Sequence, residues 1–190
     1  LNVVNGSGGL TALDADNDGY TTLTLDKSDA ALTISGVGTS TAITVSDAGS
    51  KLNTITYSGV TGSTDSASVT VGTAAAGAGL SMVGIETVNL TLTGKAVLDT
   101  ANAFTNAKAI NVTNADTSTL DLSAATGASA AVTVTGAGVL TLGTLNATIK
   151  SVDASGSTGG VTATLDKAQT AVTGGAGKDT ITAAAPTSTI

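Results

Sequence analysis

The chain has 190 residues and a formal net charge of −7, and Ala, Gly, Ser and Thr supply 111 of its residues. It contains no Cys, His, Trp or Arg, and its aromatics are Tyr20, Tyr57 and Phe104. These absences exclude disulfide staples, thiol and His-based catalysis and most zinc or haem sites. With seven Lys against fourteen acids, the chain also lacks the basic, aromatic-rich surface that binds nucleic acid.

The acids are thirteen Asp and a single Glu, Glu86. Asp suits turns and Glu suits helix surfaces, so this bias, together with abundant Thr and Val, predicts β-structure with many turns. No run of eighteen apolar residues occurs, so no transmembrane helix and no membrane insertion are expected. The chain starts at Leu1 with no signal-peptide pattern, and it reads as an excised piece of a longer protein.

In chain order, residues 1–50 form a less regular β region with strands at Leu23-Thr24-Leu25, Leu32-Thr33-Ile34 and Ile43-Thr44-Val45. This region is either the first rung of a repeat array or a separate small β domain. Residues 51–182 are repetitive. Thr-Gly pairs at 61–62, 93–94, 126–127 and 158–159 are 32, 33 and 32 residues apart, and Tyr57, Asn89, Asp121 and Asp153 share that step. Asp121 to Gly127 and Asp153 to Gly159 both read D-x-S-x-x-T-G, and each leads into a Val/Thr strand. Residues 183–190 read as a linker.

A fixed period of this kind marks a solenoid. The expected fold is all-β, a right-handed parallel β-helix with three-strand rungs of about 32 residues. Val, Leu and Ile point inward and Thr outward. Five to six rungs at roughly 4.8 Å each make a rod on the order of 25–30 Å long. A two-strand rung of about twenty residues also fits the strands at 88, 110, 132, 152 and 172. A β-sandwich is the alternative for residues 1–80. One candidate helix runs over Thr100 to Lys108, with Ala101, Ala103, Phe104 and Ala107, and an irregular loop is the alternative there.

Two segments suggest calcium. Gly174 to Thr182 reads G-G-A-G-K-D-T-I-T, which fits the calcium-binding nonapeptide G-G-x-G-x-D-x-U-x in full. Its candidate ligands are Gly174, Gly175, Gly177 and Asp179: glycines allow tight turns with inward carbonyls, and Asp supplies the oxygen a hard cation prefers. Such sites form between successive turns, and one full copy is present. The alternative is a glycine-rich turn with a solvated Asp. Asp14, Asp16 and Asp18 crowd three carboxylates into five residues before Gly19, and the Tyr20 carbonyl is a further candidate ligand. Leu25 stands where an EF-hand loop has its last carboxylate, with Asp26 and Asp29 nearby, so a solvated acidic turn is the alternative there. Asp121 and Asp153 either face calcium, stack as a polar ladder with Asn89, or cap turns through neighbouring Ser and Thr. Ser and Thr are plentiful, but no base is at hand to activate them, so no enzymatic activity is expected.

Gly84 to Thr91, the two D-x-S-x-x-T-G copies and Gly174 to Thr182 together resemble bacterial S-layer proteins of the type I-secreted, RTX-bearing kind. Large type I-secreted adhesins share these motifs. The resemblance implies an extracellular, calcium-dependent protein of the bacterial cell surface, built from β-helical domains that self-associate into a lattice or sheath. It implies surface polysaccharide or lipopolysaccharide as the anchor. The missing Cys suits such export, and the alternative role is a stalk or binding segment of a large adhesin.

Overall fold

The computed structural model describes residues 1–5, 10–15, 19–100, 102–127, 130–166, 168 and 171–183. Strands fill it, and no helix occurs among these residues. The chain winds as a parallel β-solenoid. Its first sheet holds nine strands: β1 (Asn2–Asn5), β3 (Thr22–Ser28), β5 (Ala42–Asp47), β7 (Ser66–Thr73), β9 (Thr87–Leu92), β11 (Ala109–Asn114), β13 (Ala130–Gly136), β15 (Ile149–Ser157) and β17 (Ala171–Thr173). Each pairs in parallel with the next of the series, which makes about eight turns and a rod of about 38 Å at ~4.8 Å per turn.

The rest of each turn belongs to one of two further sheets. β2 (Ala12–Asp14), β4 (Leu32–Gly38), β6 (Leu52–Ser58) and β8 (Gly79–Val83) form one of them. β10 (Val97–Leu98), β12 (Ser118–Leu120), β14 (Leu140–Thr144), β16 (Val161–Leu165) and β18 (Thr180–Ala183) form the other. The two occupy different stretches of the perimeter. Ala74, directly after β7, bridges Ala96, directly before β10. β8 is continued instead by residues 102–106: Met82 N–H donates to the Ala103 carbonyl at 3.1 Å. Leu80 N–H and Gly84 N–H donate to the Oδ1 atoms of Asn102 and Asn106 at 2.9 and 3.2 Å. Two side-chain amides thus stand in for a missing strand where one sheet hands over to the other.

Pairing register settles the repeat length. Val88, Ile110 and Val132 are partners at steps of 22 residues, and Val132, Val152 and Val172 at steps of 20. The expected 32-residue rung is therefore replaced by a turn of about 20–22 residues, the alternative spacing read from strands 88 to 172. The 32-residue step is about one and a half such turns. Thr93-Gly94 and Thr158-Gly159 follow first-sheet strands, whereas Thr61-Gly62 follows β6 on another side. The motif recurs at alternate corners, so sequence spacing alone reads a false period. The sandwich alternative for residues 1–80 fails for the same reason: β1 to β8 pair in parallel throughout. The candidate helix gives way to the irregular alternative. Residues 102–108 run without helix, with Phe104, Ala107 and Asn102 fully buried.

Alternation explains the interior. Leu23, Ile43, Val69, Leu90, Val112 and Val134 occupy one register column and are all 2% exposed or less. The outward residues one position along are Thr24, Thr44, Thr70, Thr91, Thr113 and Thr135. β-Branched residues fit both faces of a pleated strand. The inner ones contribute roughly 1.5–3 kcal/mol each by burial.

Candidate functional site

In the nonapeptide, Gly174 to Asp179 form the turn between β17 and β18, and Thr180 to Thr182 open β18. Its Asp179 faces inward onto backbone. Oδ1 accepts the Val161 N–H of the preceding turn at 2.8 Å, and Oδ2 accepts the Gly175 N–H of its own turn at 2.8 Å. One carboxylate thereby joins two turns. Ala176 N–H adds a bond to the Ser157 carbonyl at 2.9 Å. Ile181 lies opposite Ala163 and packs, partly buried, against the core.

The glycines of this motif have a packing cause. A Cβ on Gly175 would overlap the Ser157 carbonyl, and one on Gly177 would overlap the Gly160 backbone nitrogen. The same contact recurs down the corner: a Cβ on Gly159 would overlap Gly138, and one on Gly138 would overlap Asp116. The turns at 136–138, 157–160 and 174–177 stack backbone on backbone, and only glycine permits that approach. The Gly-rich spacing is thus a repeated corner of the solenoid. Among the described residues no three acidic groups converge to hold a metal ion.

The acidic turn is described only in part. Asp14 ends β2 opposite Ser35, Gly19 has φ +81° as a sharp turn requires, and Asp16 and Asp18 lie outside the described residues. The Tyr20 carbonyl accepts the Thr41 hydroxyl at 3.1 Å, and Asp29 pairs with the Lys27 ammonium at 3.3 Å.

Asp121 and Asp153 make the same local bond. Asp121 Oδ1 accepts the Ser123 N–H at 2.8 Å, and Asp153 Oδ1 accepts the Ser155 N–H at 3.0 Å. This is the Asx-turn that the D-x-S spacing favours. At Asp153 it coincides with a bulge in β15, where Thr133 pairs with Asp153 but Thr135 pairs with Gly156. Hydrogen bonds from the Ser155 backbone and hydroxyl hold the Asp153 carboxyl below its ordinary pKa. The two Asp residues do not stack on each other. Asp153 shares a column with Asn89, Asn111 and Thr133, while Asp121 follows β12 on another side.

That column holds an amide ladder that motif spacing does not reveal. Asn111 Nδ2 donates to Asn89 Oδ1 at 2.9 Å, and Asn89 Nδ2 donates to Ser66 Oγ at 3.0 Å. Identical side chains at a 22-residue step are the signal that marks it. A second Thr ladder lies on the sheet of β10 to β18, where Thr119, Thr141, Thr162 and Thr180 are successive partners. A concavity at the N-terminal end of the rod is lined by Leu1, Ala15, Tyr20, Leu23, Val37, Gly38 and Thr41, with a mixed polar and apolar wall.

No protein family, curated protein or solved structure matches this chain.

Proposed function

We propose that this β-solenoid is a structural, non-enzymatic segment of a bacterial surface assembly, an S-layer or sheath lattice that forms by self-association outside the cell with calcium. One observation carries the reading. A continuous apolar interior lies under in-register ladders of uncharged side chains, with Thr24 to Thr135 on one face and Thr119 to Thr180 on another. Each turn presents the same chemistry as the last at a step of ~4.8 Å, so weak contacts between rods multiply. Resemblance to RTX-bearing surface proteins supports calcium, and surface polysaccharide or lipopolysaccharide is the proposed anchor.

Within this proposal, calcium acts away from Asp179. Both Asp179 oxygens already face backbone N–H groups, whose positive ends oppose a cation. The acidic turn from Asp14 to Tyr20 is the better candidate, since its three carboxylates in five residues are the oxygen donors a hard cation prefers. Calcium bound only by the folded chain would stabilise it by RT ln(1 + [L]/Kd) per site, coupling folding to arrival in a calcium-rich exterior.

Electron microscopy of the purified chain with calcium and with chelator tests this. Ordered sheets or tubes with calcium alone are expected. Dispersed rods in both conditions would overturn the lattice reading and favour a stalk segment of a large adhesin.

A further inference from the structure

The six strands of the first sheet from β3 to β13 pair without a register shift. Shifts bound this stretch at both ends. Asp26 is skipped between Leu25 and Lys27 in the pairing with β1, and the bulge after Asp153 interrupts the pairing of β13 with β15. Both breaks carry an acid, and bulges with charges keep a sheet from meeting neighbours there. Between them the surface is of another kind. In β7, β9, β11 and β13 the outward positions form three columns that start at Ser66, Ser68 and Thr70. All twelve are Ser, Thr, Asn or Ala, and none is fully buried. β3 and β5 extend two of these columns, which reach back to Thr22 and Thr24.

Neither other sheet matches this face. The sheet of β2 to β8 has four strands and shifts register between Ile34 and Val37. The sheet of β10 to β18 begins with a strand of two residues and shifts between Thr141 and Gly143.

We propose that the outer face of β3 to β13 is where a second copy of this chain docks, face to face. The proposal rests on the self-association reading above and names its contact surface. The chain carries a net charge of −7, so two copies repel where acids meet, and contact costs least where the surface is neutral. Hydroxyls and amides both donate and accept, so the same surface on a partner matches each of these groups. Thr is stiff at χ1 and Ala has no rotamer to lose, so docking orders little. The grid is also tied along the rod before contact. Asn111 Nδ2 donates to Asn89 Oδ1, and the Thr113 and Thr135 hydroxyls lie 3.1 Å apart. Six strands at ~4.8 Å and about five residues at ~3.3 Å give a face of roughly 500 Å². Two copies then bury ~1,000 Å², the lower bound for a specific contact. A single pair is therefore reversible, and repetition in a lattice holds it.

Thr113 is exposed within this grid. Thr113→Lys sets an ammonium from each copy into a contact made for neutral groups. Thr56→Lys makes the same charge change at an exposed position of β6, on another sheet. Wild type and both variants are compared in calcium by electron microscopy and sedimentation velocity, with circular dichroism to show that each is folded. Wild type and Thr56→Lys should form sheets or tubes, and Thr113→Lys should stay as single rods. A Thr113→Lys lattice like that of wild type would overturn this contact surface and leave the self-association reading standing. Wild-type rods that stay single would overturn both. Loss of assembly in both variants would make the effect one of charge rather than of this face, and would overturn the proposal. So would intact assembly of Thr113→Lys with lost binding to a neutral polysaccharide, which would give the face to a glycan. If Thr113→Lys does not fold, Ser68→Lys, exposed two turns earlier in β7, takes its place.

Discussion

Asn102 donates a hydrogen bond from Nδ2 to the carbonyl of Asp121, 2.9 Å away and one turn further along the rod. The same nitrogen reaches the Leu98 carbonyl of its own turn at 2.7 Å, and Oδ1 accepts the Leu80 N–H of the preceding turn at 2.9 Å. One buried amide ties three turns together where the sheet of β8 stops. Asn102→Ala leaves the Leu80 N–H and the Asp121 carbonyl without this partner in the interior, while the Leu98 carbonyl keeps the Asp121 N–H, and we expect a loss of about 2–3 kcal/mol in urea unfolding. Asn102→Asp removes both donors and buries a charge, so it should be no better. A wild-type urea midpoint for Asn102→Ala would deny the amide any stapling role.

Gly177→Ala separates packing from metal binding. Its Cβ would strike the Gly160 backbone, and overpacking of this kind costs about 1–3 kcal/mol. The loss should be the same with calcium and with chelator. A loss seen only with calcium would return the nonapeptide to a ligand role.

Asp179 offers the complementary test. Asp179→Ala should destabilise by about 1–3 kcal/mol, because the Val161 and Gly175 N–H groups lose their acceptor. Asp179→Asn keeps one acceptor oxygen and should lose less. Isothermal titration with calcium should show equal heats for wild type and Asp179→Asn if the metal binds elsewhere, as at the Asp14 turn.

Tyr57 is buried, and its hydroxyl has no hydrogen-bond partner among the described residues. Burial raises the phenol pKa well above the ordinary value of 10.0. The folded state therefore holds this proton where the unfolded state releases it. Stability from this group is complete below about pH 10 and falls as pH rises further. Tyr57→Phe should flatten that part of the alkaline limb in a Tm-against-pH series. It should also raise stability near neutrality by about 1 kcal/mol, since an unpaired buried hydroxyl is removed. A lower Tm for Tyr57→Phe at pH 7 would reveal a bond to the hydroxyl.

Phe104 is fully buried in the segment that continues β8. Phe104→Ala should cost about 3–5 kcal/mol in the equilibrium unfolding of the chain. A much smaller cost would mean that the small residues around it collapse into the space.

Much of the fold is legible in the residues themselves. Alternation of Val, Leu and Ile with Thr marks the strands, and short strands between Gly, Asn and Asp turns mark a solenoid. The period is harder to read. Thr-Gly is demanded at more than one corner, so its recurrence at 32 residues reports corners rather than turns. The apolar positions Val88, Ile110, Val132, Val152 and Val172 carry the true step, because pairing register acts on strands. The Thr100 to Lys108 helix fails through tertiary override. Its Ala-rich pattern suits a helix, but Asn102 and Asn106 are drawn to the exposed backbone of β8 instead. At the candidate sites, D-x-S correctly signals an Asx-turn, a bond local enough to read from three residues. The glycines of 174–177 cannot be interpreted alone, because Gly175 and Gly177 have their neighbours in space at positions 154, 157, 159 and 160.

The features that residue order dictates here are local or periodic: β-structure from side-chain branching, inward and outward faces from alternation, and turns from Gly, Asn and Asp. These follow from each residue's own backbone preferences and from a two-residue strand period. Folding in three dimensions was needed to set which turns stack, that Asp179 bridges two of them, and that Asn102 replaces a strand. Those relations depend on register between segments about 20 residues apart, and register is set by the summed burial of a whole interior rather than by any one motif.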